Sequence, residues 1–403
     1  MPRRKMPRAP QPLPTLHSAQ QRVFDDPARF RVVVCGRRWG KTELGKALAL
    51  ARLRTGDQRV WWLAPTRTMA SQVWRDLKRH LDAREDLTIN LSERHVEFDA
   101  GGWLDIRSTH TPDYLRGAGL DFAVMDEAAF MKPNVWPEIV RPMLLDRRGA
   151  ALFISTPNGH NWFYDLYRHA LDAPDWAAFH FPTSTSPLID LQDLEAIRAS
   201  TLERIWRQEY EAEFLDSSGQ VFRGIRAAAT AAPADPARSV RAVAGVDWGR
   251  EGDYTVIVVL DADAHAMLDI ERFHQVGWEL QRGRLQAVCE RWGVETVVAE
   301  ANSIGSVNIE ALERVGLPVV PFTMTSRSKP PLIEALALAI ETGQLRLLPD
   351  EVLLHELAAY TMRRTASGRW QYSAPSGGHD DCVIALALAW HALQQPTLRL
   401  DFV

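Results

Sequence analysis

The sequence predicts an α/β protein of two domains, the first built on a mostly parallel sheet. Three observations lead there. The chain has 403 residues, more than one ordinary hydrophobic core serves. From residue 30 to about 214, short apolar runs alternate with helical periodicity, which is the pattern of a parallel sheet covered by helices. Between 216 and 240 the composition shifts to Ser-Ser-Gly, an alanine run and Pro-Ala-Asp-Pro, as it does in a connection between domains. A second α/β region follows, from 242 to about 393. The expected division is an N-terminal arm (1–15), a first domain (16–215), a connection (216–240) and a second domain (241–403).

The apolar fraction of 46% and the charged fraction of 24% are those of a globular chain, which excludes a disordered or fibrous one. The net charge of -4 does not mark a nucleic-acid binder, but it is unevenly spread. Residues 1–240 carry an excess of about three positive charges and the remainder an excess of about seven negative ones. Only six of the basic residues are lysines, so a lysine at a phosphate-binding position stands out from an arginine background. Cys35, Cys289 and Cys382 are odd in number and lack metal-ligand spacing, and are expected to be reduced in a cytosol. The basic start, Met1 to Arg8, leads into Pro-rich sequence with no apolar stretch behind it, so it reads as neither signal peptide nor anchor. No apolar run approaches a membrane span.

The first domain's strands are expected at 31–34, 60–64, 122–125 and 151–154, each ending in polar or glycine-rich sequence, where ligand-binding loops of parallel sheets lie. After the first comes Cys35-Gly36-Arg37-Arg38-Trp39-Gly40-Lys41-Thr42, and then a helical pattern over 43–53. Glycines let backbone N–H groups face phosphate oxygens, and a helix N-terminus adds partial positive charge. Lys41 is placed to reach the β and γ phosphates of ATP, and Thr42 to ligate Mg²⁺. Cys35 stands where the common pattern has glycine, so the loop is a variant. Gly-Lys-Thr alone occurs in unrelated chains, and its weight here comes from the strand before and the helix after. The strand at 122–125 ends in Asp126-Glu127, which puts one acid near the metal and the other where it can orient the attacking water. Next, Ser155-Thr156-Pro157-Asn158-Gly159 places hydroxyls, Thr156 among them, where a γ-phosphate could be sensed. A plain turn fits those letters equally.

In the second domain a hairpin is expected over 243–260. Asp247 follows the apolar strand 242–246, Glu300 ends the run at 296–299, and Asp380 and Asp381 open a helix with Val383, Leu386, Ala387 and Trp390 on its apolar face. Converging carboxylates hold a pair of divalent cations, which activate a water and stabilise a leaving oxygen in phosphodiester hydrolysis. Hard oxygen ligands select Mg²⁺ or Mn²⁺ over zinc. Without metal, such acids repel one another at no structural benefit.

These residues resemble those of the terminase large subunits of tailed phages. Gln20 in Leu16-His17-Ser18-Ala19-Gln20-Gln21, then Arg29-Phe30 and the loop Gly36 to Thr42, look like that family's adenine-contacting glutamine and variant phosphate loop. Leu115-Arg116-Gly117, Asp126-Glu127-Ala128-Ala129 and the Ser-Thr-Pro-Asn-Gly turn are similar to its later motifs. Gln208-Glu209-Tyr210 to Phe214 and Gly219-Gln220-Val221-Phe222 look like its linker entry. The resemblance runs from about Leu16 to Leu393. It implies an ASCE-type P-loop ATPase joined to a ribonuclease-H-like nuclease, with ATP bound by Gln20, Gly36, Arg37, Arg38, Trp39, Gly40, Lys41, Thr42, Asp126 and Thr156, and hydrolysed with Glu127. Arg116 is the implied arginine finger, with Arg37 and Arg38 as rivals, and a DNA contact or a surface ion pair as the other reading of Arg116.

In the second domain the resemblance implies a two-metal site of Asp247, Glu300 and Asp380, with Asp381 and Asp253 as supporting or alternative ligands. His379 contacts the scissile phosphate or caps a turn. The implied function is ATP-driven movement of double-stranded viral DNA into a procapsid and cleavage of the concatemer. The implied partners are DNA, the portal protein, the small terminase subunit and further copies of the chain, with no membrane. The implied place is the host cytoplasm and, transiently, the procapsid, but not the mature virion. The rival functions are a cellular helicase or repair translocase with an accessory nuclease, and a non-enzymatic portal-docking protein with vestigial sites.

Overall fold

The computed structural model of the chain describes residues 14–54, 56–81, 86–99, 101–111, 115, 117, 119–216, 218–236, 240–249, 253–302, 305–364 and 370–394. The chain divides into two units, Met1–Asp216 and Ser217–Val403.

In the first unit the apolar runs become strands β1 (Phe30–Cys35), β2 (Arg59–Ala64), β3 (Leu87–Asn90), β4 (His95–Phe98), β5 (Trp103–Ser108), β6 (Phe122–Asp126), β7 (Ala150–Ser155) and β8 (Trp176–Phe181). They form one sheet in the order β3-β4-β5-β2-β6-β7-β1-β8. All neighbours from β5 to β8 are parallel, while β3, β4 and β5 pair antiparallel. The four expected strands are β1, β2, β6 and β7. The hairpin β3–β4 had no sequence expectation, because each strand alternates apolar and polar residues over only four positions.

The central strands are buried on both faces, as parallel strands under helices are. Val33, Trp62, Val124 and Ile154 point into one core, shared with the helices Lys41–Leu53 and Arg67–Leu81. Val32, Val34, Trp61, Leu63, Met125 and Phe153 point into the other, against Trp136 and Phe163. This alternation is the period-two geometry of a strand. Strand β7 stands between β1 and β6, with Val34 opposite Ser155 and Asp126 opposite Ile154. That additional strand is the ASCE arrangement, and it brings the ends of β1, β7 and β6 to one sheet edge.

The second unit contains β9 (Ser218–Gln220), β10 (Ala242–Asp247), β11 (Thr255–Asp261), β12 (Ala266–Phe273), β13 (Val294–Glu300), β14 (Val319–Phe322), β15 (Thr361–Arg364) and β16 (Trp370–Ser373). Its main sheet has the order β12-β11-β10-β13-β14, and a small one the order β16-β15-β9. The expected hairpin is β10 against β11, with Val243 opposite Leu260. Strands β10, β13 and β14 are parallel. The helix Trp278–Trp292 fills one face of the main sheet through Leu285, Val288 and Trp292. The helix Asp381–Gln394 is buried along nearly its whole length and lies on β10. Gly245 makes this possible, because a Cβ there would come within 2.2 Å of Ala385 O and Ala389 N.

Part of the segment expected as a connection is folded. Strand β9 pairs with β15, Phe222 is wholly buried with its ring 5.7 Å from that of Tyr360, and Ala231 N donates to Leu347 O. Its large apolar residues, Val221, Phe222, Ile225 and Val240, are too few to show a periodicity by which a strand could be read.

Candidate functional site

The phosphate loop leaves β1 and enters the helix Lys41–Leu53 through Gly40, which has φ +103°. Gly36 is required by close approach to backbone, and Gly40 by its left-handed conformation. A Cβ on Gly36 would lie 2.3 Å from Thr183 Oγ1 and 2.5 Å from Tyr210 O, and one on Gly40 2.4 Å from Gln20 Nε2. Thr183 Oγ1 donates to Arg37 O, and Arg37 N donates to Glu209 O, so the loop is fixed on its outer side. On its inner side, Gln20 Nε2 donates to Gly40 O at 2.8 Å, while Gln20 Oε1 accepts from His17 N at 3.0 Å. Gln20 is 3% exposed. The amide expected to contact adenine thus binds the loop and its own helix cap, and keeps one N–H and one lone pair for a further partner.

Trp39, grouped with the ATP-binding residues, is wholly buried. It stacks on Phe181 at 4.7 Å and donates to Thr185 Oγ1. Its indole is a core wedge beneath the loop, and only its backbone remains for phosphate. Arg37 pairs with Glu209 at 2.6 Å. Arg38 is exposed with φ +61°. Arg116 lies outside the described residues, as does the N-terminal arm up to residue 13.

Lys41 Nζ lies 3.1 Å from Glu127 Oε1. Burial alone would lower the Lys41 ammonium, but Glu127, Cys35 and Asp126 around it raise it. Burial, then the Glu127 charge, pushes Asp126 up to about 7, with Lys41 opposing. Glu127 has φ +53°, unusual for a residue with a Cβ and typical of backbone held at functional sites. Ser155 Oγ donates toward Glu127 Oε2 at 3.2 Å, and Thr156 is buried beside it at the tip of β7. Thr42 occupies the second position of the helix, half-buried. Asp126 Oδ1 is buried without a hydrogen-bond partner, a free oxygen that suits a cation.

In the second unit, β10 and β13 are neighbours with Val246 opposite Ala299, so Asp247 and Glu300 end side by side. Burial, then a hydrogen bond with the Glu300 carboxyl and the charges of Glu300, Asp381 and Asp380, pushes Asp247 well above the usual carboxylate range. The helix Asp381–Gln394 brings its N-terminus to the same place, and Ile384 N donates to Asp380 O. Asp247, Glu300, Asp380 and Asp381 are thus gathered. Asp381 is pushed up to about 6, by burial first and then by Glu356, with His379 opposing. Its Oδ2 is buried and makes no hydrogen bond, with His379 Nδ1 at 3.4 Å. The ligand atoms of Asp253, His379 and Asp381 all lie within 4.8 Å of one another. A cluster of acids, with Asp247 and Asp381 buried and Asp381 Oδ2 unpartnered, suits hard divalent cations.

Residues not singled out from the sequence complete this site. Lys329 Nζ lies 3.2 Å from Asp380 Oδ2. Tyr360 is buried beside Asp380, and burial followed by the Asp380 charge raises its phenol. Glu356, 5% exposed, accepts from Cys382 N at 2.9 Å and lies 3.6 Å from Arg272. A signal existed for Glu356, an acid on the otherwise apolar buried face of the helix Glu351–Ala359 with Leu353, Leu354 and Leu357.

An ASCE-type ATPase unit followed by a unit with clustered acids at the strand ends of a mixed sheet defines a class of nucleic-acid-processing ATPase–nucleases. Residues 32–228 match the family description "Terminase large subunit, T4likevirus-type, N-terminal", and residues 244–393 match "Terminase RNaseH-like domain". The large terminase subunit of Thermus virus P23-45 is 32% identical over 431 residues, covering 93% of this chain and 87% of that protein. The chain belongs to the terminase large subunits, the ATPase–nucleases of phage DNA packaging. A large terminase from a thermophilic bacteriophage, at 15% identity with a TM-score of 0.54, covers 96% of this chain and 100% of that one and shares its fold. The large terminase nuclease of phage G20c, solved with bound magnesium, is 34% identical over 43% of this chain and 96% of that chain, with a TM-score of 0.40.

Proposed function

We propose that the first unit hydrolyses ATP to drive double-stranded DNA, and that the second cuts it at the acid cluster of Asp247, Glu300 and Asp380. The observation that carries this reading is the convergence of remote residues into two sites, Lys41 with Glu127 in one unit and the four acids in the other. In the first site, Lys41 exchanges Glu127 for the β and γ phosphates of ATP. Glu127, released, orients the attacking water. Ser155 and Thr156 at the tip of β7 report the terminal phosphate to Glu127. Thr42 and Asp126 hold the magnesium that accompanies the nucleotide. Arg116 supplies compensating charge to the ATP of a neighbouring copy.

In the second site, Asp247, Glu300 and Asp380 hold the divalent cations, and Asp381 and Asp253 support them. Two such cations supply an activated water and a stabilised leaving oxygen when bound. Asp247 and Glu300 share a hydrogen bond without metal, and bound cations would favour the ionised form of both carboxylates. His379, 39% exposed on its side chain, faces outward for the scissile phosphate. Contacts to DNA are to backbone phosphates, independent of sequence and sensitive to salt.

The further partners in this reading are the portal of the procapsid, the small terminase subunit and more copies of the chain. It places the protein in the host cytoplasm and transiently on the procapsid. Among the described residues no helix is long and apolar enough to cross a membrane. The test is DNA-stimulated ATP hydrolysis together with Mg²⁺- or Mn²⁺-dependent plasmid cleavage. Lys41→Ala is expected to abolish the first, and Asp247→Ala the second while ATP turnover survives. Hydrolysis retained in Lys41→Ala, or cleavage retained in Asp247→Ala, refutes the corresponding half.

A further inference from the structure

Lys329 is the only lysine after Lys132, in a half of the chain whose other fixed cations are arginines. It opens the helix Lys329–Glu341, the end at which positive charge is unfavourable, and no acid in the first turn compensates it. Helix stability therefore does not account for it. Its backbone is nonetheless held firmly. Thr325 N donates to Ser328 Oγ at 2.8 Å, Ser328 N donates to Thr325 Oγ1 at 3.0 Å, and Lys329 N donates to Thr325 O at 3.0 Å. Pro330 and Pro331 follow at once and fix the entry to the helix.

What this arrangement presents is an ammonium 3.2 Å from Asp380 Oδ2 and 5.8 Å from the centre of the Tyr360 ring. An arginine here would grip the carboxylate through two parallel N–H bonds. A lysine makes a point contact on a flexible stem and is more readily exchanged. A quarter of its side chain is exposed, which leaves it a route toward solvent and toward whatever lies over the site.

We propose that Lys329 is an exchangeable counter-cation of the nuclease site. It neutralises Asp380 in the metal-free protein, competes with divalent cations for that carboxylate, and transfers its charge to a DNA phosphate as the cations enter. The site thereby binds metal weakly until substrate is present. This rests on the reading of Asp380 as a metal ligand.

The test measures Mn²⁺ binding to the full chain by calorimetry without DNA, and plasmid cleavage at saturating Mn²⁺. Lys329→Gln is expected to bind Mn²⁺ roughly ten-fold more tightly, the size of effect one neighbouring charge has on a carboxylate's affinity for its proton. It is also expected to cleave more slowly at saturation. Lys329→Arg, which keeps the charge, binds Mn²⁺ no more tightly than the unaltered protein. Equal or weaker Mn²⁺ affinity in Lys329→Gln overturns the competition, and undiminished cleavage overturns the transfer to phosphate. Asp380→Asn separates the two levels. If it loses Mn²⁺ while Lys329→Gln is unchanged, only the counter-cation role falls, whereas if it binds Mn²⁺ normally the metal-site reading falls with it.

Discussion

Gly245→Ala tests how the nuclease site is built, without touching any acid. The added Cβ would lie 2.2 Å from Ala385 O and Ala389 N and 2.8 Å from Ala389 Cα. All three are backbone atoms, so no rotamer change relieves the clash, and the helix Asp381–Gln394 must withdraw from β10 by about 1 Å to restore ordinary contact. Overpacking of this kind costs about 3 kcal/mol, the upper end of its usual range. For a unit of this size that is a fall in Tm of about 6–12 °C. The withdrawal also carries Asp380 and Asp381 away from Asp247 and Glu300. A displacement of catalytic groups by about 1 Å lowers rates by about a hundred-fold. Scanning calorimetry of the full chain, with cleavage and ATP turnover on the same preparation, reads all three effects. Unchanged unfolding of the second unit together with unimpaired cleavage would refute the argument that this glycine sets the distance between helix and strand.

Glu127→Gln should retain nucleotide binding and lose hydrolysis by at least about a hundred-fold, the usual worth of a positioned base, which separate binding and steady-state assays would distinguish. Asp126→Asn should stabilise the nucleotide-free protein near pH 8. Asp126 is raised to about 7 when folded, so its contribution is complete below the unfolded value near 3.8 and is lost as pH rises through 7. The Tm advantage of Asp126→Asn should therefore appear between about pH 4 and 7, and an advantage independent of pH would count against it. Mn²⁺ at about a hundred times its dissociation constant should stabilise the second unit by about 2.7 kcal/mol. Asp247→Asn should abolish that gain, and an equal Tm rise in the variant would place the metal elsewhere.

The strands that carry chemistry were legible because each is a short apolar run broken by the polar residues that do the work. Asp126-Glu127 and Asp247 lie where the pattern changes. Glu300 and Asp380 were legible only jointly, since an acid at a strand end or helix start is common by itself. What the sequence withheld depends on distant packing. Trp39 sits amid a phosphate loop, yet Phe181, far along the chain, claims its ring. Gln20 is folded back onto Gly40 by His17, a cap formed by a residue type seldom read as one. Lys329 lies 51 positions from Asp380, in a stretch whose Ser-Lys-Pro-Pro reads only as a helix start.

Strand β7 has a consequence for what its tip can tolerate. Because β1 and β6 each bond to β7 and not to one another, their backbones stand two strand spacings apart, about 10 Å. Lys41 and Glu127 nevertheless touch, so they bridge over the end of the strand between them. Ser155 is thus the keystone of a narrow arch, and a bulky side chain in its place would hold the two pillars apart even with every charged group intact.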